Sequence, residues 1–118
     1  MLKLNHKKLD VWKISKEFVR EIYSLTKNFP EDEKFGMISQ MKRAALSVPL
    51  NIAEGASRFS KLERKRFYEI SRSSLVEVDT QLELSLDLDF VEKEEIIELE
   101  KLISRVFGML SSMIVNTK

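Results

Sequence analysis

The sequence predicts an all-α fold, an up-and-down antiparallel four-helix bundle, and three observations carry that expectation. Only three Gly and two Pro punctuate 118 residues, which leaves long uninterrupted stretches and argues against the many turns of an all-β chain. Apolar residues recur at helical spacing in four successive segments, and only short connections separate them. A composition of 43% hydrophobic and 33% charged residues suits one buried core with solvated faces. No repeat, linker or second unit breaks the chain, so residues 1–118 are read as a single domain.

The first helix is expected at about 9–27. Val11, Phe18 and Leu25 form one heptad series and Ser15, Ile22 and Phe29 another. Trp12 and Val19 lie beside them, which gives a wide apolar stripe. Trp12 reads as a core or interface anchor. Phe29-Pro30 ends the segment, because the residue before proline is pushed away from helical dihedrals.

The second helix is expected at about 33–56. It opens on Glu31-Asp32-Glu33, acids suited to the positive end of a helix. Ile38, Met41, Ala45, Val48, Ile52 and Gly55 then follow a 3,4 alternation. Pro49 lies inside this pattern and cannot donate to the carbonyl of Ala45, so a kink is expected there rather than a stop. Asn51 and Glu54 follow it, placed to satisfy freed backbone groups or to bond a neighbouring helix. Ala44, Ala45, Ser47, Ala53 and Ala56 are small enough for close helix approach.

The third helix is expected at about 60–88, opened by the capping box Ser60-Lys61-Leu62-Glu63. Residues 82–90 alternate apolar and polar with period two, as a half-buried strand would. A lone strand has no ladder partner here, and Leu, Glu and Asp are poor strand formers, so helix is preferred. Leu82 and Leu86 then extend the stripe of Leu75 and Val78, whereas Leu84 and Leu88 point nearly opposite. That second face is a candidate oligomer interface, or else is covered by a neighbouring loop. The fourth helix, about 92–116, carries Ile96, Leu99, Ile103, Val106, Leu110 and Met113 in a regular heptad pattern.

Several function classes lack their residues. Without Cys there is no disulfide, thiolate metal site or cysteine nucleophile, and a reducing cytoplasm is the natural setting. The one His, His6, has no ligand spacing around it, so neither a di-iron site nor a Ser-His-Asp arrangement is expected. Gly36, Gly55 and Gly108 stand alone, which leaves no phosphate-cradling loop. We therefore expect no enzyme, metal or cofactor. No apolar run approaches the length of a membrane span and the N-terminus is too polar for a secretory signal.

Charge is distributed unevenly. The net charge is +1, but residues 1–72 hold 16 Lys and Arg against 9 acids, and residues 73–118 hold 4 against 10. Three readings fit: an anionic partner for the first part, head-to-tail packing between copies, or neutralisation between neighbouring helices. The densest cation cluster is Arg58, Lys61, Arg64, Lys65 and Arg66, interleaved with Phe59, Phe67 and Tyr68. Lys42 and Arg43 on the second helix are expected to join it across an antiparallel pair. This is a candidate phosphate-binding surface, with a solvated helix face as the plainer reading.

Leu9-Asp10-Val11-Trp12, Phe29-Pro30, Phe35-Gly36, Ser39-Gln40-Met41-Lys42-Arg43-Ala44-Ala45 and Val48-Pro49-Leu50-Asn51-Ile52-Ala53-Glu54-Gly55 resemble the 23S rRNA intervening-sequence proteins, as do Ser73–Val78 and Thr80–Leu82. The resemblance spans nearly the whole chain. It implies a four-helix bundle in which Pro49, Asn51, Glu54 and Gly55 are structural, and which often forms a homopentamer. A related group, the accessory proteins of diversity-generating retroelements, binds reverse transcriptase and nucleic acid through a basic surface. One departure has a structural consequence. Where the family commonly has Gly and Ser around the third loop, this chain has Asp89 and Glu92, so Asp89 must adopt any left-handed turn there.

Overall fold

The computed structural model describes residues 1–117. Four helices follow one another: α1 (Asp10–Thr26), α2 (Met37–Ala56), α3 (Lys61–Asp87) and α4 (Ile97–Asn116), and no strand occurs among the described residues. Short 3-10 turns precede α1 (Asn5–Lys8), α2 (Glu31–Glu33) and α4 (Lys93–Ile96). Helices α1 and α3 each pack against both α2 and α4, which gives the square section of a bundle.

The heptad residues of all four segments meet in one core. Phe18 and Ile22 of α1, Val48 and Ile52 of α2, Leu75 of α3 and Leu110 of α4 are fully buried. Each such side chain contributes roughly 1.5–3 kcal/mol through burial. The alternating segment 82–90 is helical through Asp87, with Leu82 in the core. Period two there reflects a helix that is apolar on two sides.

Two helix starts differ from the sequence reading. Helix α2 begins at Met37 rather than Glu33, because Gly36 sits at the N-cap with φ −108° and ψ −113° and interrupts the helical backbone. The acidic run still serves the helix from outside, since Glu33 Oε1 accepts the Met37 N–H at 3.0 Å. At α3, the Glu63 N–H donates to Ser60 Oγ at 3.0 Å, one arm of the expected box. The fully reciprocal box forms at Glu92 and Glu95 instead, and opens the 3-10 turn that leads into α4 at Ile97.

Asp89 is the positive-φ non-glycine among the described residues, at φ 58°. It closes α3 by a Schellman arrangement in which Phe90 N–H donates to Ser85 O at 2.9 Å and Asp89 N–H to Leu86 O at 3.1 Å. Phe90 then turns inward against Phe29, with ring centroids 5.7 Å apart. That aromatic pair ties the α1–α2 and α3–α4 connections together at one end of the bundle.

Helix α2 runs unbroken through Pro49 and makes its closest approach to α3. Ser71 Oγ donates to the Val48 carbonyl at 2.8 Å, and the Ser47 and Ser74 hydroxyls share a 2.8 Å bond. Asn51 Nδ2 donates to the Ser47 carbonyl at 2.8 Å and to Ser47 Oγ at 2.9 Å. Asn51 therefore satisfies groups around the proline, though not the Ala45 carbonyl whose N–H donor is missing. Gly55 continues the close approach: a Cβ built on it would lie 2.7 Å from Tyr68 Cε1.

Candidate nucleic-acid interface

The antiparallel register set by the Ser47–Ser74 and Val48–Ser71 bonds places the α2–α3 turn at the end of the bundle shared by the two chain termini. There the N-terminal segment docks on it: Leu4, Asn5 and His6 face Ser57, Arg58 and Phe59 across a cleft of about 400 Å³. The last turn of α4 closes the other side, where Ser112 and Asn116 face Arg64 and Tyr68. This assembly brings in Lys3, Lys7 and Lys8, which a reading of local clusters leaves out. The only sequence signal for them was a basic N-terminus, and nothing local showed that it folds back.

The charge asymmetry between chain halves becomes a polarity between bundle ends. Residues 1–13, 54–66 and 112–117 gather nine Lys and Arg against three acids at the shared end. Residues 24–37 and 83–101 gather eleven acids against four cations at the opposite end. Opposed charges are thus separated along a body 44 Å long, well beyond the ~8–10 Å over which salt at physiological strength screens them. Neutralisation between neighbouring helices does not describe this layout.

The cations of the turn divide into two kinds. Arg58 stacks over the Phe67 ring at 4.9 Å and pairs with Glu54 at 3.5 Å. Glu54 also accepts from Ser57 Oγ through its backbone carbonyl at 2.7 Å, so the family-motif acid orders the end of α2. The Arg64 guanidinium donates to the carbonyls of Arg58 (3.2 Å) and Phe59 and staples the turn from inside. Lys61, Lys65 and Arg66 make no side-chain hydrogen bond or ion pair among the described residues. Their charge is available to a phosphate, and the stapled turn presents it on ordered backbone. Phe59 projects beside them and is 99% exposed, a free aromatic face of the kind on which a nucleobase stacks.

Lys42 and Arg43 do not join this cluster. They lie about fourteen residues before the turn on a helix rising 1.5 Å per residue, hence about 21 Å away. Antiparallel pairing sets them opposite the middle of α3, not its start. Lys42 instead sits over the Tyr23 ring of α1 at 4.7 Å, and Arg43 donates to Gln40 at 3.0 Å. Leu84 on α3 and Leu88, the C-cap residue just past its end, are exposed, with no loop covering them among the described residues.

Two titratable groups mark how the end is packed. His6 is buried with its ring edge-on to Trp12 at 4.9 Å. Loss of solvation, with a smaller contribution from the Lys7 ammonium, holds its pKa below the ordinary histidine value. Burial pushes the Tyr68 phenol above its usual range, partly offset by Arg64. Among the described residues no three His, Asp or Glu side chains gather as a metal site requires. No helix of the described chain is long and apolar enough to cross a membrane.

Fold and site together define a helical-bundle protein with one strongly cationic end. The family model of the 23S rRNA-intervening sequence protein matches residues 7–112, and the chain belongs to that family. Its fold is similar to the crystal structure of a protein with unknown function from the S23 ribosomal protein family of Bacteroides thetaiotaomicron, at a TM-score of 0.79 and 24% identity over 88% of this chain and 97% of that one. No curated protein matches the sequence.

Proposed function

We propose that the chain is a non-catalytic module that assembles into homo-oligomers, a pentamer being the form the family resemblance implies, and binds structured RNA through its cationic end. The supporting observation is the ordered turn that presents Lys61, Lys65 and Arg66 next to an exposed Phe59. Phosphates would neutralise the cations and release counterions, and an unpaired base would stack on the ring. The RNA would be met bare or within a ribonucleoprotein, a reverse transcriptase complex included. The absence of Cys suits a reducing cytoplasm.

Mobility shifts on a structured RNA, titrated across salt, test this reading. Wild-type affinity should fall steeply with salt, and Lys61/Lys65/Arg66→Ala should reduce the log–log slope by about 2–3. Lys93/Lys101→Ala at the acidic end should leave it unchanged. No binding at low salt, or equal slopes for both variants, refutes the reading. A second reading, a homo-oligomeric scaffold with no nucleic-acid role, draws support from the exposed apolar faces of α2 and α3 and predicts intact assembly with no shift at any salt.

A further inference from the structure

The outer surface of α1 and α2 carries two open grooves that share one ridge. Leu46 and Leu50 form the ridge, and Leu50 is 66% exposed. On the α1 side a groove of about 430 Å³ is floored by Trp12, Val19 and Pro49; on the other side a groove of about 650 Å³ runs past Phe35 and Ile38. Their rims hold five cations, Lys16, Arg20, Lys34, Lys42 and Arg43, and neither groove is lined by an Asp or Glu. Lys16 lies over the Trp12 ring at 4.3 Å, so charge is held at the edge of the apolar floor. RNA would match these cations but leave the aliphatic ridge uncovered. An acidic amphipathic helix matches both.

The chain itself presents such a helix. At the C-terminal end of α3, Leu84 and the C-cap residue Leu88 are 47% and 57% exposed. Glu83 and Asp87 lie within one turn of them, and Glu77 lies two turns before Leu84 on the same side. Residues 73–100 contain ten acids and one cation, Lys93. We infer that the cationic, ridged α1–α2 face of one copy docks on the acidic Leu84/Leu88 face of a second copy. Aliphatic ridge meets aliphatic stripe, and Arg20 and Arg43 approach Glu83 and Asp87. The two patches differ, so each copy offers one and receives the other. Such a heterologous contact propagates, and it ends in a closed ring or an open filament according to the rotation per copy. It leaves Lys61, Lys65 and Arg66 outside the contact. This inference rests on the assembly part of the proposed function and not on RNA binding.

Charge reversal on the full chain, without RNA, tests it by mass measured in solution, with circular dichroism confirming that each variant remains helical. The wild type should exceed the 13.8 kDa monomer mass. Arg20→Glu/Arg43→Glu alone and Glu83→Lys/Asp87→Lys alone should each fall to the monomer. Mixed in equal amounts they should associate into species heavier than the monomer, because each variant then meets a face of opposite charge on the other. Strict alternation gives open chains or even-membered rings, since a five-membered ring would keep one mismatched contact. A monomeric wild type, either variant retaining wild-type mass, or a mixture that stays monomeric overturns the inference. The RNA reading is scored separately, since a monomer with an intact Lys61/Lys65/Arg66 face still shifts RNA.

Discussion

Replacing Gly55 and Gly108 separately with Ala makes the same chemical change in two helices and isolates the approach of α2 to α3. Ala is favoured over Gly inside a helix by up to about 1 kcal/mol. At Gly108 a Cβ meets nothing within 4 Å, so most of that gain should appear as added stability. At Gly55 the Cβ would stand 2.7 and 3.0 Å from Tyr68 ring carbons and 3.1 Å from Phe67 Cβ. Tyr68 is buried, and Phe67 Cβ is fixed to the α3 backbone, so the helices must part or the ring must leave its rotamer. Overpacking of this kind costs about 1–3 kcal/mol. After subtracting the propensity gain, the Gly55 variant should lose up to about 2.5 kcal/mol while the Gly108 variant gains about 0.5–1. For a chain of this length one kcal/mol moves Tm by about 4 °C. Thermal melts followed by circular dichroism should thus place the two variants on opposite sides of wild type. If Gly55→Ala raises Tm as Gly108→Ala does, close contact at Gly55 is not what sets the α2–α3 distance.

The other predictions concern the ends of the bundle. Asp89→Gly should stabilise the protein by about 1 kcal/mol in urea titration, because glycine adopts the φ of 58° without the Cβ conflict that Asp tolerates at a cost. Unchanged stability would show that the aspartate side chain compensates for its backbone. His6, the sole imidazole, should titrate below 6.5 by NMR, and Trp12→Ala should return it toward that value. Since the folded state binds this proton less readily than the unfolded chain, stability should be complete above pH 6.5 and decline as pH falls through the window between 6.5 and the lowered value. A His6 pKa at or above 6.5 would contradict the burial of its ring against Trp12.

Much of the fold was legible in the sequence because helix periodicity is a local property. The heptad of Leu99, Ile103, Val106 and Leu110 needs no tertiary knowledge to be seen, and all four are buried. The left-handed turn at Asp89 was expected only from the resemblance, which puts Gly where this chain has Asp89, and the residue does adopt φ 58°. The start of α2 was not legible, because Gly36 breaks the helix through its own dihedral angles while the acidic run before it carries an ordinary start signal. The candidate site was legible in part. Arg58, Lys61, Arg64, Lys65 and Arg66 cluster along the chain and remain clustered in space. Their division into stapling and available cations depends on carbonyls that only the folded turn aims at Arg64. The placement of Lys42 and Arg43 depended on the register of α2 against α3, which the Ser47, Ser71 and Ser74 hydroxyls set across 23 or more residues of chain.

Residue types and their spacing determined by themselves that this protein is a four-helix bundle, where its helices lie to within a few residues, and that α3 has a second apolar face. The tertiary structure decided which charges stand together. A difference between chain halves says nothing of direction in space. Antiparallel packing brings the N-terminal lysines and the α2–α3 turn to one end and both acidic connections to the other. Electrostatic potential follows distance through space and not separation along the chain, so that polarity exists only once the helices have paired.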